Sequence, residues 1–290
     1  MPGTLFLVAT PIGNLEDITL RALRVLREVS LVAAEDTRHT AKLLAHFDIH
    51  VPTTSFYEQI EHEKTPRLLA RLVAGDNLAL VSDAGTPGIS DPGYRLVKAA
   101  VEAGIRVEAV PGPSALLTAL VASGLPTNSF AFLGFPPPRL QARDRWFESL
   151  AGRQETLIFY EAPHRIRETL AAALRALGDR PVCVARELTK LHEELVRGPI
   201  SAVLPRLLTP RGEFTIVLGP AAATPSLPDA LPSDAGLFDE FYHLTEDSGL
   251  ARRPAISRLA EKYGLSAREV YAAVERAKAS VDPAPDLTSQ

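Results

Sequence analysis

The chain has 290 residues, of which 46% are hydrophobic and 23% are charged, a composition typical of a globular protein with a full core, which excludes disorder for most of the sequence. No apolar run approaches the roughly 18–20 residues of a membrane-spanning helix, and Cys183 is the single cysteine, so we expect a cytoplasmic protein without disulfides, a membrane partner or a metal. The net charge of −4 gives no overall indication of a nucleic-acid partner.

Apolar, β-rich runs alternate with amphipathic segments through the first 124 residues. This alternation is typical of βαβ units and predicts a mostly parallel sheet. The predicted strands are 4–10, 31–36, 51–58, 77–85 and 106–112, and the predicted helices are 19–29, 37–47, 65–74, 94–104 and 114–124.

A second set of elements follows a Gly-Leu-Pro turn at 124–126. Its last strands come without long crossover helices, which predicts a mixed sheet. The predicted strands are 129–135, 155–163, 181–190 and 212–219, with a helix at 164–178 and a hairpin at 194–203. We therefore expect two α/β domains, at residues 1–120 and 121–219.

The C-terminal part of the chain differs in composition. Residues 220–236 are rich in proline and have no periodicity, so we interpret them as a semi-stiff linker. Residues 237–280 predict a small helical module, in which 251–278 carry seven Lys or Arg and three Glu, a local charge of +4. Two interpretations stay open: a helix-turn-helix-like unit that binds RNA, or a helical hairpin that packs on the body.

Four of the first five predicted strands end in a loop rich in Gly, Pro, Asp or Glu. These loops are 10–14, 35–38, 82–93 and 111–114, and in an open parallel sheet they meet at the carboxyl edge, where ligands bind. The sequence has no dinucleotide fingerprint, P-loop, nucleophile elbow or zinc motif. Because the loops offer carbonyls and carboxylates and few cations, they favour a neutral or cationic nucleoside-like cofactor.

Seven segments resemble the tetrapyrrole-methylase superfamily of S-adenosylmethionine-dependent methyltransferases. They are LVATPIGNLEDIT (7–19), AEDTR (34–38), SDAGTPGISDPG (82–93), VPGPSA (110–115), YEAPHRI (160–166), RELTKLHEE (186–194) and RGEFTIVLG (211–219). More narrowly, they resemble its ribosomal branch, the small-subunit rRNA (cytidine-2′-O)-methyltransferases. The resemblance implies a bilobal α/β enzyme with a cofactor cleft between its lobes, which forms a homodimer.

The same resemblance implies the reaction and the partner. The enzyme would use S-adenosyl-L-methionine to methylate the 2′-oxygen of a cytidine ribose in 16S rRNA, either as free RNA or in the small ribosomal subunit. The implied cofactor contacts come from the first loop, the long loop after the fourth strand, the loop after the fifth strand and two segments of the second domain: Pro11, Ile12, Gly13, Asp83, Ala84, Gly85, Pro87, Ser114, Ala115, Glu161 and Leu188.

Methyl transfer to a ribose needs a proton acceptor, because a ribose hydroxyl is a weak acid. The candidates are titratable side chains at predicted strand ends: Glu35, Asp36, His164, Glu187 and Lys190. Asp36 and His164 rank before the others, and the choice among the five stays open at this point.

Arginines are the candidates for RNA contact. Arg38 and Arg165 lie inside the resembling segments, and Arg252 and Arg253 begin the basic part of the helical module. Further arginines between 139 and 153 surround Trp146-Phe147, a stretch whose residue types stack on bases and bind phosphates.

Two other functions stay open. A tetrapyrrole methylase of the precorrin or uroporphyrinogen type would use the same cofactor cleft, although a macrocycle needs no basic C-terminal module. A non-catalytic ribosome- or nucleotide-binding module would need fewer charged residues at the strand ends than this sequence has.

Overall fold

The computed structural model describes residues 1–207, 211–221, 232–247 and 249–281. The chain divides into two units, residues 1–221 and 222–290. Most of the expected linker at 220–236 lies outside the described residues, because 222–231 are not among them. In the part of the chain that is described, no helix is both long and apolar enough to cross a membrane.

The first sheet is parallel throughout, as the sequence predicts. It consists of β1 (Thr4–Val8), β2 (Leu31–Ala34), β3 (Thr53–Ser55), β4 (Leu78–Val81) and β5 (Arg106–Val110), connected by α1 (Leu20–Glu28), α2 (Thr37–His46), α3 (Glu58–Val73) and α4 (Tyr94–Glu102). The strands lie in the order β3-β2-β4-β1-β5, with Leu5 of β1 paired with Leu78 of β4 and with Val107 of β5.

Helices cover both faces of this sheet. Leu26 of α1 and Leu44 of α2 are buried in one core, whereas Leu72 of α3 and Leu96 of α4 are buried in the core on the opposite face. The chain therefore leaves the neighbouring strands β2 and β4 toward opposite faces. Such a switch point opens a crevice at the carboxyl edge of a parallel sheet.

The second sheet is mixed, and the expected α/β architecture is confirmed. Its strands are β6 (Phe130–Phe132), β7 (Thr156–Glu161), β8 (Pro181–Arg186), β9 (Glu194–Pro199) and β10 (Phe214–Leu218), in the order β6-β7-β10-β8-β9. Strands β6 and β7 run parallel, and the other neighbouring pairs run antiparallel.

Helix α5 (Ala115–Ser123) follows the first sheet in sequence and packs on the second. Ala119 and Leu120 lie in a buried cluster with Ile158, Cys183 and Val217 of β7, β8 and β10. The helices α6 (Leu140–Glu148), α7 (Ile166–Leu177) and α8 (Ile200–Val203) contribute to the core on the other face of that sheet. The boundary expected at residue 120 thus falls inside a helix whose buried side belongs to the second sheet.

Three elements differ from the sequence-based predictions. Helix α3 begins at Glu58 rather than at 65 and contains Pro66. The sequence does not indicate its first turns, because they are polar and carry no apolar period. Helix α6 is absent from the sequence-based predictions, since charged and polar residues interrupt its apolar period and it buries only Arg143 and Phe147. The predicted hairpin at 194–203 is wrong in its second arm, which is α8; Pro199 has no N–H to continue the strand ladder.

The second unit contains α9 (Asp234–Tyr242), a π-helical turn (His243–Asp247), α10 (Arg252–Tyr263) and α11 (Ala267–Val281). Helix α9 begins inside the segment expected to be a linker. Leu237, Leu259, Val270 and Val274 are buried together, so the three helices share one core.

The turn between α10 and α11 is fixed by local capping. Gly264 ends α10 in the left-handed conformation. The N–H of Glu269 donates to the hydroxyl of Ser266 at 3.2 Å, and the N–H of Ser266 donates to the Glu269 carboxylate at 2.7 Å. This reciprocal capping box starts α11, as the sequence Ser-x-x-Glu indicates.

Candidate active site

A cavity of about 400 Å³ lies between the carboxyl edge of the first sheet and the second sheet. Three carboxylates border it, and no Lys or Arg of the described residues does. The first sheet's loops and the start of α5 contribute Ile12, Ala84, Gly85, Thr86, Ile89, Ser90, Asp91, Ser114 and Ala115, and the second sheet and its loops contribute Phe135, Tyr160, Glu161, Ala162, Pro163, Leu188, Glu213, Phe214 and Thr215.

The loop 82–93 after β4 forms one wall of the cavity. The N–H of Thr10 donates to the Gly85 carbonyl at 2.9 Å, and the N–H of Gly85 donates to the Thr10 carbonyl at 3.0 Å, which joins this loop to the first one. Gly85 has a φ of +83° and Ser90 a φ of +62°. For a residue with a Cβ such as Ser90, this conformation costs about 1–3 kcal/mol, so the surrounding structure must select it.

The far end of the same loop is fastened by Glu61 of α3. Its buried Oε1 accepts hydrogen bonds from the N–H groups of Gly93 at 3.1 Å and of Arg95 at 3.0 Å. These groups lie at the N-terminus of α4, where a negative charge is favoured by the helix dipole. A Cβ at Gly93 would lie 2.8 Å from Cδ2 of Leu80. Glu61 and Gly93 together fix the position at which the loop ends.

Three carboxylates come together where the loops after β2 and β4 diverge: Glu35, Asp83 and Asp91. Oδ1 of Asp83 accepts the N–H of Asp36 at 3.0 Å and thereby joins the two loops. Burial raises the pKa of Glu35, and the charge of Asp83 raises it further. Burial, followed by the charge of Glu35, raises the pKa of Asp91 to about 6. Asp91 therefore titrates closer to neutral pH than an ordinary aspartate.

The carboxylates of this corner are not arranged as metal ligands. Within the residues that the structure describes, no group of three or more His, Cys, Asp or Glu side chains has a geometry that could hold a metal ion. The corner therefore offers the cavity negative charge and proton acceptors.

Asp36 caps α2. Its Oδ1 accepts the N–H of Arg38 at 2.8 Å, and its Oδ2 lies 2.8 Å from Nη2 of the same arginine. These hydrogen bonds lower the pKa of Asp36 to about 2. A carboxylate that binds protons so weakly is a poor base.

Glu161 ends β7 with a fully buried carboxylate. It accepts the N–H of Ala162 at 2.7 Å and the hydroxyl of Thr169 at 2.5 Å, and Nη2 of Arg165 lies 2.5 Å from its Oε1. A buried carboxylate is tolerated when it has partners of this kind. Glu161 therefore supports the cavity wall, and the guanidinium of Arg165 is held in an ion pair with Glu161.

The segment after β8 forms the opposite wall. Glu187 and Thr189 both have left-handed backbones, with φ of +51° and +65°. Nζ of Lys190 donates to Glu187 at 2.9 Å and to Glu213 at 3.1 Å. Burial by itself lowers the pKa of Lys190, but the two hydrogen bonds and the negative charges of Glu187 and Glu213 together raise it. The hydrogen bond from Lys190 in turn lowers the pKa of Glu187. The two groups are thus a charged pair, and neither is suited to accept a proton.

The first loop approaches this segment at Gly13. A Cβ on Gly13 would lie 2.5 Å from Cγ of Lys190 and 2.8 Å from the carbonyl oxygen of Leu188. Ile12 packs with Leu188 in a buried cluster. Only a glycine permits this distance between the two loops.

Aromatic side chains close one end of the cavity. The ring centroids of Phe135 and Tyr160 are 5.6 Å apart, and those of Phe132 and Tyr160 are 4.9 Å apart. Burial raises the pKa of Tyr160, which keeps its hydroxyl neutral. Phe135 is exposed, and an exposed ring at the edge of a cavity suits the stacking of an unpaired nucleobase.

Most of the expected cofactor residues border the cavity. Those in its wall are Ile12, Ala84, Gly85, Ser114, Ala115, Glu161 and Leu188, whereas Pro11, Gly13, Asp83 and Pro87 lie in the same loops without lining it. Ser114 is the N-cap of α5, and its side chain makes no capping hydrogen bond.

None of the five candidate proton acceptors, Glu35 included, lines the cavity. Asp36 caps a helix, Glu187 and Lys190 pair with each other, and His164 is exposed. The structure thus brings together the cofactor candidates but not the catalytic candidates.

The arginines expected to bind RNA differ in the exposure of their side chains and in the partners that these side chains already have. The side chain of Arg38 is 87% exposed beside Asp36, whereas that of Arg165 is 18% exposed and bound to Glu161. In the second unit, the guanidinium of Arg252 lies over the rings of Phe241 and Tyr271 and pairs with Glu275. Arg253 is exposed. Arg38 and Arg253 are therefore better placed for a phosphate than Arg165 and Arg252.

The expected stacking surface at Trp146-Phe147 is wrong. Phe147 is fully buried, and both rings pack edge to face against Phe159 at 5.9 Å. Arg143 is also buried and pairs with Glu168 at 2.9 Å. The helical period of α6 turns these residues into the core of the second sheet.

Sequence reasoning left several residues of this site without a role. Asp91 lies in the loop 82–93, which the sequence analysis identifies, but nothing in the sequence of that loop distinguishes Asp91 from Asp83. Only burial and neighbouring charges distinguish the two side chains. Tyr160 and Phe135 carry a sequence signal, as aromatics beside recognised motifs. Glu61 carries none, because it contacts the loop from a helix about 30 residues away in the chain.

The sequence profile of the Tetrapyrrole (Corrin/Porphyrin) Methylases matches residues 4–204, and the chain belongs to this family of methyltransferases. The expected superfamily and enzyme class are confirmed. A Ribosomal RNA small subunit methyltransferase I of Synechocystis sp. is 48% identical over 272 residues, which cover 93% of this chain and 96% of that protein. A protein of the same name from Halalkalibacterium halodurans is 50% identical over 218 residues, 74% of this chain and 75% of that one.

A solved structure shares the fold. It is the Uroporphyrin-III C-methyl transferase from Thermus thermophilus complexed with S-adenyl homocysteine, with a TM-score of 0.52 and 23% identity over 75% of this chain and 97% of that chain. At this identity the likeness concerns the fold alone.

Proposed function

We propose that this protein transfers the methyl group of S-adenosyl-L-methionine to the 2′-oxygen of a cytidine ribose in 16S rRNA. The observation that carries the proposal is 48% identity, over nearly the full length of both chains, to a Ribosomal RNA small subunit methyltransferase I. That name supports small-subunit ribosomal RNA as the substrate. The segments that resemble the ribosomal branch support the ribose of a cytidine as the site of methylation. A tetrapyrrole substrate is less well supported, since the uroporphyrin methyltransferase is 23% identical.

The cavity suits the cofactor in charge and size. S-adenosylmethionine carries a sulfonium and an ammonium group against one carboxylate, so it is a cation. Asp91, Glu161 and Glu213 border the cavity, and none of the described Lys or Arg side chains does. Its volume of about 400 Å³ is within the range of small-molecule sites.

The loops offer backbone groups to this cofactor. Gly85 has a left-handed backbone and contributes no side chain to the wall, so a ligand can approach its peptide closely. The side chain of Ser114 makes no capping hydrogen bond at the N-terminus of α5, so an acceptor on the cofactor can take the capping position. Asp83, Pro11, Gly13 and Pro87 hold the loops that carry these groups.

When bound, the cofactor supplies an electrophilic methyl group. The residues of the chain must hold the ribose hydroxyl in line with it and receive one proton. The exposed ring of Phe135, next to Tyr160, is placed to stack on the target base.

The remaining parts of the protein are assigned to substrate binding and assembly. The module at 237–280 docks on rRNA through exposed basic residues such as Arg253, with Arg38 as a further phosphate contact at the enzyme body. The two sheets act as catalytic lobes, divided near residue 120, with the cofactor between them. The enzyme works as a homodimer in the cytoplasm, on 16S rRNA or the small ribosomal subunit.

The test is a methyl-transfer assay with labelled S-adenosylmethionine and three acceptors: small ribosomal subunits that lack the modification, free 16S rRNA and uroporphyrinogen. The product RNA is digested to nucleosides and analysed by mass spectrometry. We expect the label in 2′-O-methylcytidine, and no transfer when the target position carries 2′-deoxycytidine. Label in a methylated base, or in the macrocycle, contradicts the proposal.

A further inference from the structure

Among the three carboxylates of the cavity wall, Asp91 is the one that stays available to interact with a bound substrate. Glu161 accepts hydrogen bonds from three donors. Glu213 is 77% exposed and pairs with Lys190. Asp91 is half-buried and forms no ion pair with the residues described.

The backbone around Asp91 is held in one position. The preceding residue, Ser90, has the left-handed φ of +62°. Two residues later, Gly93 donates its N–H to buried Glu61 at 3.1 Å. Strained backbone that persists because its surroundings fix it is characteristic of functional sites. Here the strain and the anchor both serve to place one carboxylate at the cavity.

We propose that Asp91 accepts the proton of the ribose 2′-hydroxyl during methyl transfer. This inference rests on the proposed function. The O–H bond breaks and its proton passes to a carboxylate oxygen of Asp91, while the electron pair on the 2′-oxygen forms the new bond to the methyl carbon. The C–S bond breaks and its electron pair stays on sulfur, so the sulfonium becomes a neutral thioether. The proton on Asp91 then leaves to solvent.

The surroundings of Asp91 suit this role. The titratable groups that face it are Glu35 at the end of β2, Asp83 at the start of its own loop and Tyr160 on β7. Burial and the two negative charges raise the pKa of Asp91, so it binds a proton more strongly than Asp36, whose pKa is lowered by Arg38. Because the efficiency of a base increases with its pKa up to the working pH, Asp91 is the better acceptor of the two.

The test compares Asp91→Asn, which keeps the shape and removes the proton acceptor, with the control Asp48→Asn. Asp48 is exposed, lies at the other end of α2 from Asp36, and has a left-handed φ of +51°, which Asn tolerates. We expect Asp91→Asn to lower kcat by about 10²–10⁴-fold. Its affinity for S-adenosylmethionine in calorimetry and its RNA affinity should stay within about threefold of wild type, a range that corresponds to less than 0.7 kcal/mol.

Two further measurements address the proton itself. In carboxyl-detected NMR of the ligand-free wild type, Asp91 should titrate near pH 6. Below that pH, kcat/KM should fall about tenfold per pH unit, because only the ionised carboxylate accepts a proton. Asp91→Glu keeps a carboxylate in a changed position, so we expect a lower kcat with the pH dependence retained; this variant also replaces Asp91→Asn if the latter fails to fold.

Each alternative outcome has a distinct meaning. If Asp91→Asn weakens S-adenosylmethionine binding tenfold or more, Asp91 binds the cofactor and the inference is overturned. If kcat is unchanged in Asp91→Asn, or if Asp91 titrates near pH 4, the inference also fails while the proposed function stands. A wild-type protein that transfers no methyl group to RNA overturns the proposed function instead.

Discussion

Replacing Gly13 by Ala tests the contact that joins the two walls of the cavity. The backbone of Gly13 is outside the left-handed region, so the substitution adds no backbone strain and its effect is steric. The new Cβ would lie 2.8 Å from the Leu188 carbonyl oxygen and 2.5 Å from Cγ of Lys190. The lysine side chain can move, but the carbonyl belongs to a backbone segment with two left-handed residues, and it must shift with its loop.

The cost of such overpacking is about 1–3 kcal/mol. For a folding unit of this size, that corresponds to a decrease of roughly 2–12 °C in Tm. Because Ile12 and Leu188 both border the cavity, we also expect the affinity for S-adenosylmethionine to fall about tenfold, or 1.4 kcal/mol.

The assays are differential scanning calorimetry and isothermal titration with S-adenosylmethionine. The matched control is Gly152→Ala, since a Cβ there meets nothing within 4 Å and the backbone is likewise outside the left-handed region. We expect the control to keep both the Tm and the affinity of the wild type. An unchanged Gly13→Ala protein would refute the role of this close approach, and a loss of Tm without a loss of affinity would separate it from cofactor binding.

Three other perturbations follow from the contacts described. Glu161→Gln leaves Arg165 without its buried partner and should lower the free energy of unfolding in urea by about 3 kcal/mol. The control Glu63→Gln, at the exposed Arg67–Glu63 pair, should leave the unfolding curve nearly unchanged; equal curves for both variants would contradict the buried pair's importance. Glu61→Ala removes the acceptor for the first N–H groups of α4 and should weaken S-adenosylmethionine binding severalfold in calorimetry, whereas Glu61→Gln should keep most of the affinity. A wild-type affinity in Glu61→Ala would mean that the loop needs no anchor. A chain that ends at Ala221 should bind the cofactor as the full chain does but bind rRNA more weakly, with a smaller slope of log affinity against log salt concentration. Equal slopes would mean that the C-terminal module has no role in RNA binding. A lower Tm together with weaker cofactor binding would indicate that the module stabilises the enzyme body instead.

The alternation of strands and helices was predictable from the sequence because it depends on local patterns. Strands β1, β2 and β4 are short apolar runs, and amphipathic helices alternate with the strands along the chain. These signals predicted all five strands of the parallel sheet. They missed the first turns of α3 and all of α6, where polar and charged residues interrupt the apolar period.

The loops that carry the cavity were also predictable, since parallel strands bring their carboxyl ends to one edge. Gly85 illustrates the limit of this signal. The sequence marks it as a glycine in a loop, and its left-handed backbone agrees with that. That its peptide pairs with Thr10, however, follows only from the order of β1 and β4 in the sheet.

The roles of the charged residues were decided by the tertiary structure. Asp36, Asp83 and Asp91 are the same residue type in two neighbouring loops. Asp36 nevertheless caps α2 and pairs with Arg38, Asp83 joins the two loops, and Asp91 borders the cavity with a raised pKa. The energy of an ionised carboxylate depends on burial and on charges within a few ångströms. Those neighbours, such as Glu35 for Asp91, come from distant parts of the chain. A single sequence therefore determines where carboxylates stand along the sheet edge, and only the folded arrangement determines which of them can take a proton.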